Sequence, residues 1–547
     1  MEAVIIISAI AALFVICMIV FSIRNKRAID YYIRHSFGDS SRVKDDVMDR
    51  TEAISRLFEN EKKKYNESEL VDAVTWDDLD MKTVFFRADH TDSFAGEQCL
   101  YSSMHILGDR DADGLLSNKT VEFFDKNEEK RNKVRKILHG VGKPISAYYS
   151  VDVAEDIDSE YLPYKFVYPL LMISLLTFGI LGIILHDPRL IMLCICNYFV
   201  NLVVHIFLKN SFDRKLETLF SMGMTINAGF GIKDIVPELS KEADESFKKL
   251  KKSASIMNLL NMKKSMTKSD DGMTMLMAYI TDPFMVDFIL YNIGLKELEG
   301  KTQDYMKIFR FVGEIDCSIA IASFRRSLEG YCVPEINSDK RIEYKGLFHP
   351  LISEPVANDL TQEKNMLLTG SNASGKSTFI KAAAINLILG QSIFTCTAEQ
   401  ASIPRCGVIT SMAVRDDLAS GESYYIREIK YLKRMTEAAK DGRLLFFAID
   451  EILKGTNTKE RIAASKAILR YFDRANCMLM VATHDIELAE AFEGRYENYY
   501  FCEKLDEEDV VFDYMIHKGI CRSSNAIKLL SVIGFPEEII NDALSEL

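Results

Sequence analysis

Residues 370–378 read Gly-Ser-Asn-Ala-Ser-Gly-Lys-Ser-Thr, a G-x-x-x-x-G-K-S string in which each residue type has a chemical use. Glycines at 370 and 375 let a backbone wrap closely around anionic oxygens. The main chain of Gly370, Ser371, Asn372, Ala373, Ser374, Gly375, Lys376, Ser377 and Thr378 would then turn its amides towards them. Lys376 is the candidate to reach the β- and γ-phosphates of a nucleotide, and the Ser377 hydroxyl to ligate Mg²⁺. A second set lies downstream. Asp450 is placed to hold Mg²⁺ and Glu451 to polarise an attacking water. His484 is a candidate sensor of the γ-phosphate: a strand-end histidine taken alone is more often structural, but its spacing after the acidic pair favours the functional reading. Together these residues predict Mg²⁺-dependent ATP hydrolysis.

Such groups need strands to aim them. Met366–Thr369 reads as a short buried strand running into the loop, and a helical pattern follows from Phe379 to Leu389. Residues 444–449 and 477–482 are continuous apolar runs, the composition of buried parallel strands. One ends in Asp450-Glu451 and the other in Thr483-His484. Polar residues at the C-terminal ends of such strands are where an α/β site is built. A chance match to the loop would lack this strand before and helix after.

The surrounding strings are narrower than a generic phosphate loop. Thr369–Thr378, Asp450-Glu451 followed by Gly455-Thr-Asn-Thr458, Ala482-Thr-His484, and Asp416-Asp-Leu-Ala-Ser-Gly-Glu-Ser423 resemble the motifs of the MutS family, in that order. Ser371 stands where the family writes proline. His349-Pro350 and Ala357-Asn-Asp359 resemble its lead-in, and residues 519–526 and 534–538 its closing segment, so the likeness covers roughly residues 340–547. The resemblance implies a homodimer in which Ser420, Gly421 and Ser423 cap ATP held by the partner's loop. Read by itself, that segment is a loop with Ser423 as the N-cap of a helix from Tyr424. The resemblance also implies a ring stacked on adenine. The usual aromatic position is Val356 here, which leaves Tyr514 as the candidate. The family's mismatch-reading domain uses Phe-x-Glu, and no such string occurs before residue 501.

The rest of the chain sets the context. Its 547 residues suggest two or three domains, and a net charge of −13 argues against an evenly basic nucleic-acid binder. The 11 cysteines show no metal-ligand pairing and read as reduced cytosolic thiols. Residues 3–23, 166–185 and 190–208 contain no Lys, Arg, Asp or Glu. Each is about 30 Å long as a helix, enough to cross a bilayer, although buried core helices are the soluble alternative for the second and third. Arg24, Lys26 and Arg27 follow the first run, Lys165 precedes the second, and Lys209, Arg214 and Lys215 follow the third. Only Arg189 lies in the turn between the last two. The positive-inside rule therefore puts residues 28–165 and 209–547 in the cytoplasm of a multi-pass plasma-membrane protein in contact with lipid.

The expected fold is an α/β P-loop NTPase domain of ABC/MutS type, mostly parallel, at residues 340–547. An α-helical core and lever region and three transmembrane helices precede it. The expected boundaries are an anchor at 1–27, a helical region at 28–165 that begins a MutS-like core, a membrane hairpin at 166–208 and a helical core or lever at 209–339. Seven lysines between Lys248 and Lys268, with no acidic residue among them, are a candidate contact for DNA phosphates or anionic lipid, or else a solvated helix face. Asp109–Gly114 imitates the start of a calcium loop, but Thr120 stands where that loop needs glutamate, so a surface turn is expected. By resemblance the activity is an ATPase coupled to mismatched or distorted DNA. The alternative is a membrane signalling or remodelling ATPase that has lost DNA. A transporter subunit fits least, because Leu418-Ala-Ser-Gly-Glu422 replaces its L-S-G-G-Q.

Overall fold

The computed structural model describes residues 20–21, 23–41, 50–108, 114–267, 279–371, 374–412, 424–454, 456–505, 510–520 and 534–545. The chain divides into two units. One gathers Met1–Asn60, Asp89–Tyr101 and Asp113–Ser323; the other gathers Glu61–Ala88, Ser102–Ala112 and Phe324–Leu547.

The first unit is helical. Two of its helices, Val167–Leu185 and Pro188–Ile235, are long and apolar enough to cross a membrane. The turn between them is built from its residue types. His186 takes a left-handed conformation (φ 53°), Asp187 accepts the Arg189 amide at 2.8 Å, and Pro188 opens the second helix. Only 17% and 11% of the two apolar windows is buried, with Ile183 and Phe207 among the outward side chains, which is not how a soluble core helix packs. Of the three spans expected, these are the two found among the described residues. The first, at residues 3–23, lies outside them except for residues 20, 21 and 23, which are helical.

No break occurs at residue 208. The helix continues to Ile235, 48 residues in all and about 70 Å at helical rise. Only its surroundings change: beyond 208 one face buries Leu216, Leu219, Met222 and Ile226, the three- and four-residue spacing of a helix packed on one side. Gly223 lets the helix Asp244–Thr267 approach, since a Cβ there would lie 2.7 Å from Met257 Cβ. The lysine run begins on that helix and is partly neutralised. Lys249 lies 3.4 Å from Asp304 and Lys252 3.0 Å from Glu297. Residue 268 and the calcium-like string at 109–113 lie outside the described residues.

The second unit is α/β. Its main sheet has the order β12-β9-β4-β8-β7-β6. Here β4 is Met366–Thr369, β6 Gly407–Ser411, β7 Leu445–Asp450, β8 Cys477–Ala482, β9 Glu497–Tyr500 and β12 His517–Lys518. All neighbours are parallel except β12, which pairs antiparallel at the edge. Alternate residues Leu445, Phe447 and Ile449 of β7 join Leu479 and Val481 of β8 in one core. The helix Lys376–Ile393 is buried at every residue from Ala382 to Ile393. It is apolar nearly all round because protein covers it on all sides. A four-stranded sheet, β1-β5-β2-β3, and an antiparallel pair, β10-β11, complete the described part of the unit, with β1 Glu335–Asn337, β2 Ile342–Leu347, β3 Asn358–Gln362, β5 Gln400–Pro404, β10 Glu503–Leu505 and β11 Val510–Phe512.

Residues 61–88, inside the stretch expected to be helical core, belong to this α/β unit and cover the free edge of β6. Asp78 is buried and accepts from Thr410 Oγ1 (2.7 Å) and from the Met412 amide (3.0 Å). Arg434 reaches Asp72 at 2.7 Å, and a Cβ on Gly407 would meet the Ser68 carbonyl at 2.3 Å. Covering an edge strand in this way satisfies its backbone and removes a site for unwanted strand pairing.

Candidate active site

The strand order explains how the site is assembled. Strand β8 lies between β4 and β7, so the segments that leave their C-terminal ends emerge side by side: the phosphate loop, Thr483-His484 and Asp450-Glu451. Two main-chain bonds hold the three ends in register. The Thr483 amide donates to the Leu368 carbonyl (2.9 Å), and the Glu451 amide to that of Ala482 (3.0 Å).

Gly370 (φ 142°) turns the chain out of β4 against β9's continuation; a Cβ there would lie 2.5 Å from the Phe501 carbonyl. Gly375 (φ 105°) brings it into the helix that begins at Lys376. Lys376 is 5% exposed, and its ammonium donates to the carbonyls of Gly370 (2.8 Å) and Ser371 (2.6 Å). Ser374 Oγ donates to the Ser371 carbonyl (2.8 Å). Of the loop residues expected to cradle phosphate, Asn372 and Ala373 lie outside the described residues. So do Ser420, Gly421 and Ser423 of the expected trans segment, and Gly455 of the G-T-x-T turn.

Glu451 occupies a left-handed backbone conformation (φ 68°), which costs a non-glycine residue about 1–3 kcal/mol and is held here by its surroundings. Its carboxylate meets His484 Nε2 at 2.9 Å through one oxygen and Lys454 Nζ at 2.9 Å through the other. The hydrogen bond to His484 and then the Lys454 ammonium hold the carboxyl down at about 2, against the opposing effect of burial. Asp485 anchors the turn after His484 by pairing with Arg461 at 2.6 and 3.0 Å.

These groups line one cleft of about 710 Å³, a volume suited to a nucleotide-sized ligand. Ser377, Asp450, Glu451 and His484 are among its lining residues. The lining also includes His349, Ile352 and Val356 from the segment between β2 and β3, together with Phe501 and Tyr514. Burial, aided by the nearby Lys381 ammonium, pushes His349 down to about 4, so its imidazole is neutral at pH 7. Tyr514 is 46% exposed, and its ring comes within 3.2 Å of a Cβ built on Gly375. Asn358 fixes that segment by donating to the Tyr514 carbonyl (2.9 Å) and accepting the Ile516 amide (2.8 Å). Sequence reasoning did not single out Lys454 or Phe501. Lys454 stands three residues after Glu451, and that charge spacing was the one available signal.

Residues 366–547 match the family model described as MutS domain V. This segment is a MutS domain V. It is 32% identical over 252 residues to the DNA mismatch repair protein MutS of Clostridium kluyveri, which is 43% of this chain and 28% of that protein. It is 30% identical over 259 residues to that of Natronomonas pharaonis, 45% of this chain and 30% of the relative. For that of Pseudothermotoga lettingae the figures are 28% over 269 residues, 46% and 32%. The chain thus spans about a third or less of the curated relatives it matches, and the MutS likeness is carried by its C-terminal half. The phosphate loop, Asp450-Glu451 and His484 all lie within the segment matched to MutS domain V.

Proposed function

We propose that the MutS domain of this chain binds and hydrolyses ATP with Mg²⁺. The observation that carries this reading is the convergence of Lys376, Ser377, Asp450, Glu451 and His484 on one cleft at the ends of three adjacent parallel strands. The residues fit the nucleotide. A glycine cradle leaves room for phosphate oxygens, and the buried Lys376 ammonium donates to the carbonyls of Gly370 and Ser371 at the mouth of that cradle. Ser377 and Asp450 form the all-oxygen donor set that Mg²⁺ prefers. Bound there, Mg²⁺ would neutralise charge on the phosphates. Glu451 would orient the attacking water, with His484 fixing its carboxylate. Lys376 would hold the terminal phosphates, and Tyr514 would stack on the base. By the family resemblance, ATP closes a homodimer in which Ser420, Gly421 and Ser423 reach the partner's loop. The test is Mg²⁺-dependent ATP turnover by the purified full chain and its loss in Lys376→Ala.

We further infer that the domain works at the cytoplasmic face of a plasma membrane. Two exposed apolar helices joined by a capped polar turn, with cations beyond their other ends, support this. A cysteine introduced at Asp187 is expected to react with an impermeant thiol reagent added to intact cells, above the background of the unaltered protein. One introduced at Ser211 is expected to react only after permeabilisation. The reverse pattern would put the ATPase outside and sink the reading.

The name of the MutS relatives suggests distorted DNA as the coupled partner. A second reading, a membrane signalling or remodelling ATPase without DNA, is favoured by one observation: Lys249 and Lys252 of the lysine run are paired with acids. Fluorescence anisotropy with mismatched duplex separates the two. The DNA reading expects binding that weakens by about 0.9 log units per contacted phosphate for each tenfold rise in salt. No binding at 50 mM salt (about the low end of that range) would leave the second reading standing.

A further inference from the structure

Cys332 precedes β1, and Cys396 follows the helix Lys376–Ile393. The two residues form an antiparallel bridge in which each amide donates to the other's carbonyl at 2.9 Å. Residues paired in this way have Cα atoms about 5.5 Å apart, a separation that a disulfide spans without strain. Both are free thiols.

The turn that carries Cys396 is clamped. Phe394 has a left-handed backbone (φ 55°), and the buried Arg325 donates to its carbonyl (2.6 Å) and to Thr395 Oγ1 (2.9 Å). The Cys396 thiol donates to the Asn386 carbonyl at 3.4 Å. Gly390 makes room for it, since a Cβ there would lie 2.8 Å from Cys396 Sγ.

The two thiols differ in access and in acidity. Cys332 is half-buried between Tyr331 and Val333, each 42% exposed, whereas Cys396 is fully buried. Hydrogen bonding with Cys396, and then the Arg325 guanidinium, hold the Cys332 thiol below its ordinary value against the effect of burial. Burial pushes the Cys396 thiol well up. A small oxidant from solvent therefore meets Cys332 first, with Cys396 directly behind it. That is the arrangement of an attacking and a resolving cysteine.

We propose that Cys332 and Cys396 are a reversible oxidation site for hydroperoxides, closing to a disulfide. The Cys332 sulfur attacks one peroxide oxygen and the O–O bond breaks. The leaving hydroxide takes up the proton that Cys332 gave up, forming water, and Cys332 becomes a sulfenic acid. The Cys396 sulfur then attacks that sulfur, the S–O bond breaks, and the hydroxyl leaves with the Cys396 proton as a second water. Two thiols lose two electrons and one hydrogen peroxide gains them. The new bond ties the chain entering β1 to the chain leaving the helix that begins at Lys376. The inference is independent of ATP turnover.

Peptide mapping of the full-length protein in detergent, after a short exposure to hydrogen peroxide and alkylation, tests it. Trypsin leaves each of the two cysteines alone on its own peptide, residues 327–340 and 382–405. The expected result is a cross-link between these peptides that dithiothreitol removes. In Cys396→Ala, Cys332 should instead be trapped by dimedone as the sulfenic acid. In Cys332→Ser, Cys396 should stay reduced. Cys406 is a buried thiol on the next tryptic peptide, and Cys406→Ser should leave the cross-link unchanged. A wild-type Cys332 that stays reduced, or that is oxidised without the cross-link, overturns the proposal and leaves a packed pair of thiols. A cross-link from either cysteine to Cys406 overturns it as well.

Discussion

Lys376→Ala is expected to lower ATP turnover by at least about 10²–10³-fold while the protein stays folded. The side chain is buried at the start of the helix Lys376–Ile393, and its ammonium has backbone carbonyls of the loop for partners. It bonds to the loop's own main chain, so its removal is expected to act on the loop and on what the loop holds. A phosphate chain bound without it loses its one buried cation and the charge-assisted bonds that go with it. The measurement is steady-state hydrolysis by the full chain, with thermal unfolding as the control. Wild-type turnover in Lys376→Ala would sink the site assignment. A collapsed melting temperature would instead show that the lysine holds the loop together structurally.

Glu451→Gln should separate binding from chemistry. Glutamine keeps an oxygen for His484 Nε2 but loses the charge that meets Lys454. If the carboxylate orients the attacking water, kcat falls about 10²–10⁴-fold while nucleotide affinity holds. With its carboxyl held at about 2, Glu451 stays ionised at any pH where the protein is useful. It is therefore a weak base, and its contribution is to orient and polarise water rather than to titrate near neutrality. An acid limb in the rate between pH 6 and 8 would have to come from another group. ATP should also trap the Glu451→Gln chain as a dimer, visible by sedimentation and absent with ADP. Weakened ATP binding with unchanged kcat would remove Glu451 from the water-orienting role.

Much of the strand framework around the cleft was legible because it is written in short strings. A strand of four apolar residues, two glycines and a helix start need only their neighbours to take shape, and β4, β7 and β8 begin and end within a residue or so of the expected positions. The hairpin was legible for the same reason: bilayer-length runs and a Pro-containing polar turn are local. Composition misled at residue 208, because a helix can pass from an apolar run to a mixed one by changing its side chains and not its backbone.

Sequence alone thus determined the chemistry on offer, the strands that carry it and the MutS kinship of the C-terminal half. Tertiary structure decided which distant side chains stand together. Strand β8 inserts between β4 and β7, which brings His484 to Glu451. Residues 61–88 cap the edge of β6, joining Asp78 to Thr410 across 332 positions. His205 meets Asp287 across 82 positions. The physical reason is separation. Local conformation follows from steric and hydrogen-bonding preferences of adjacent residues, whereas these meetings depend on how whole elements bury their apolar faces, and no short string encodes that.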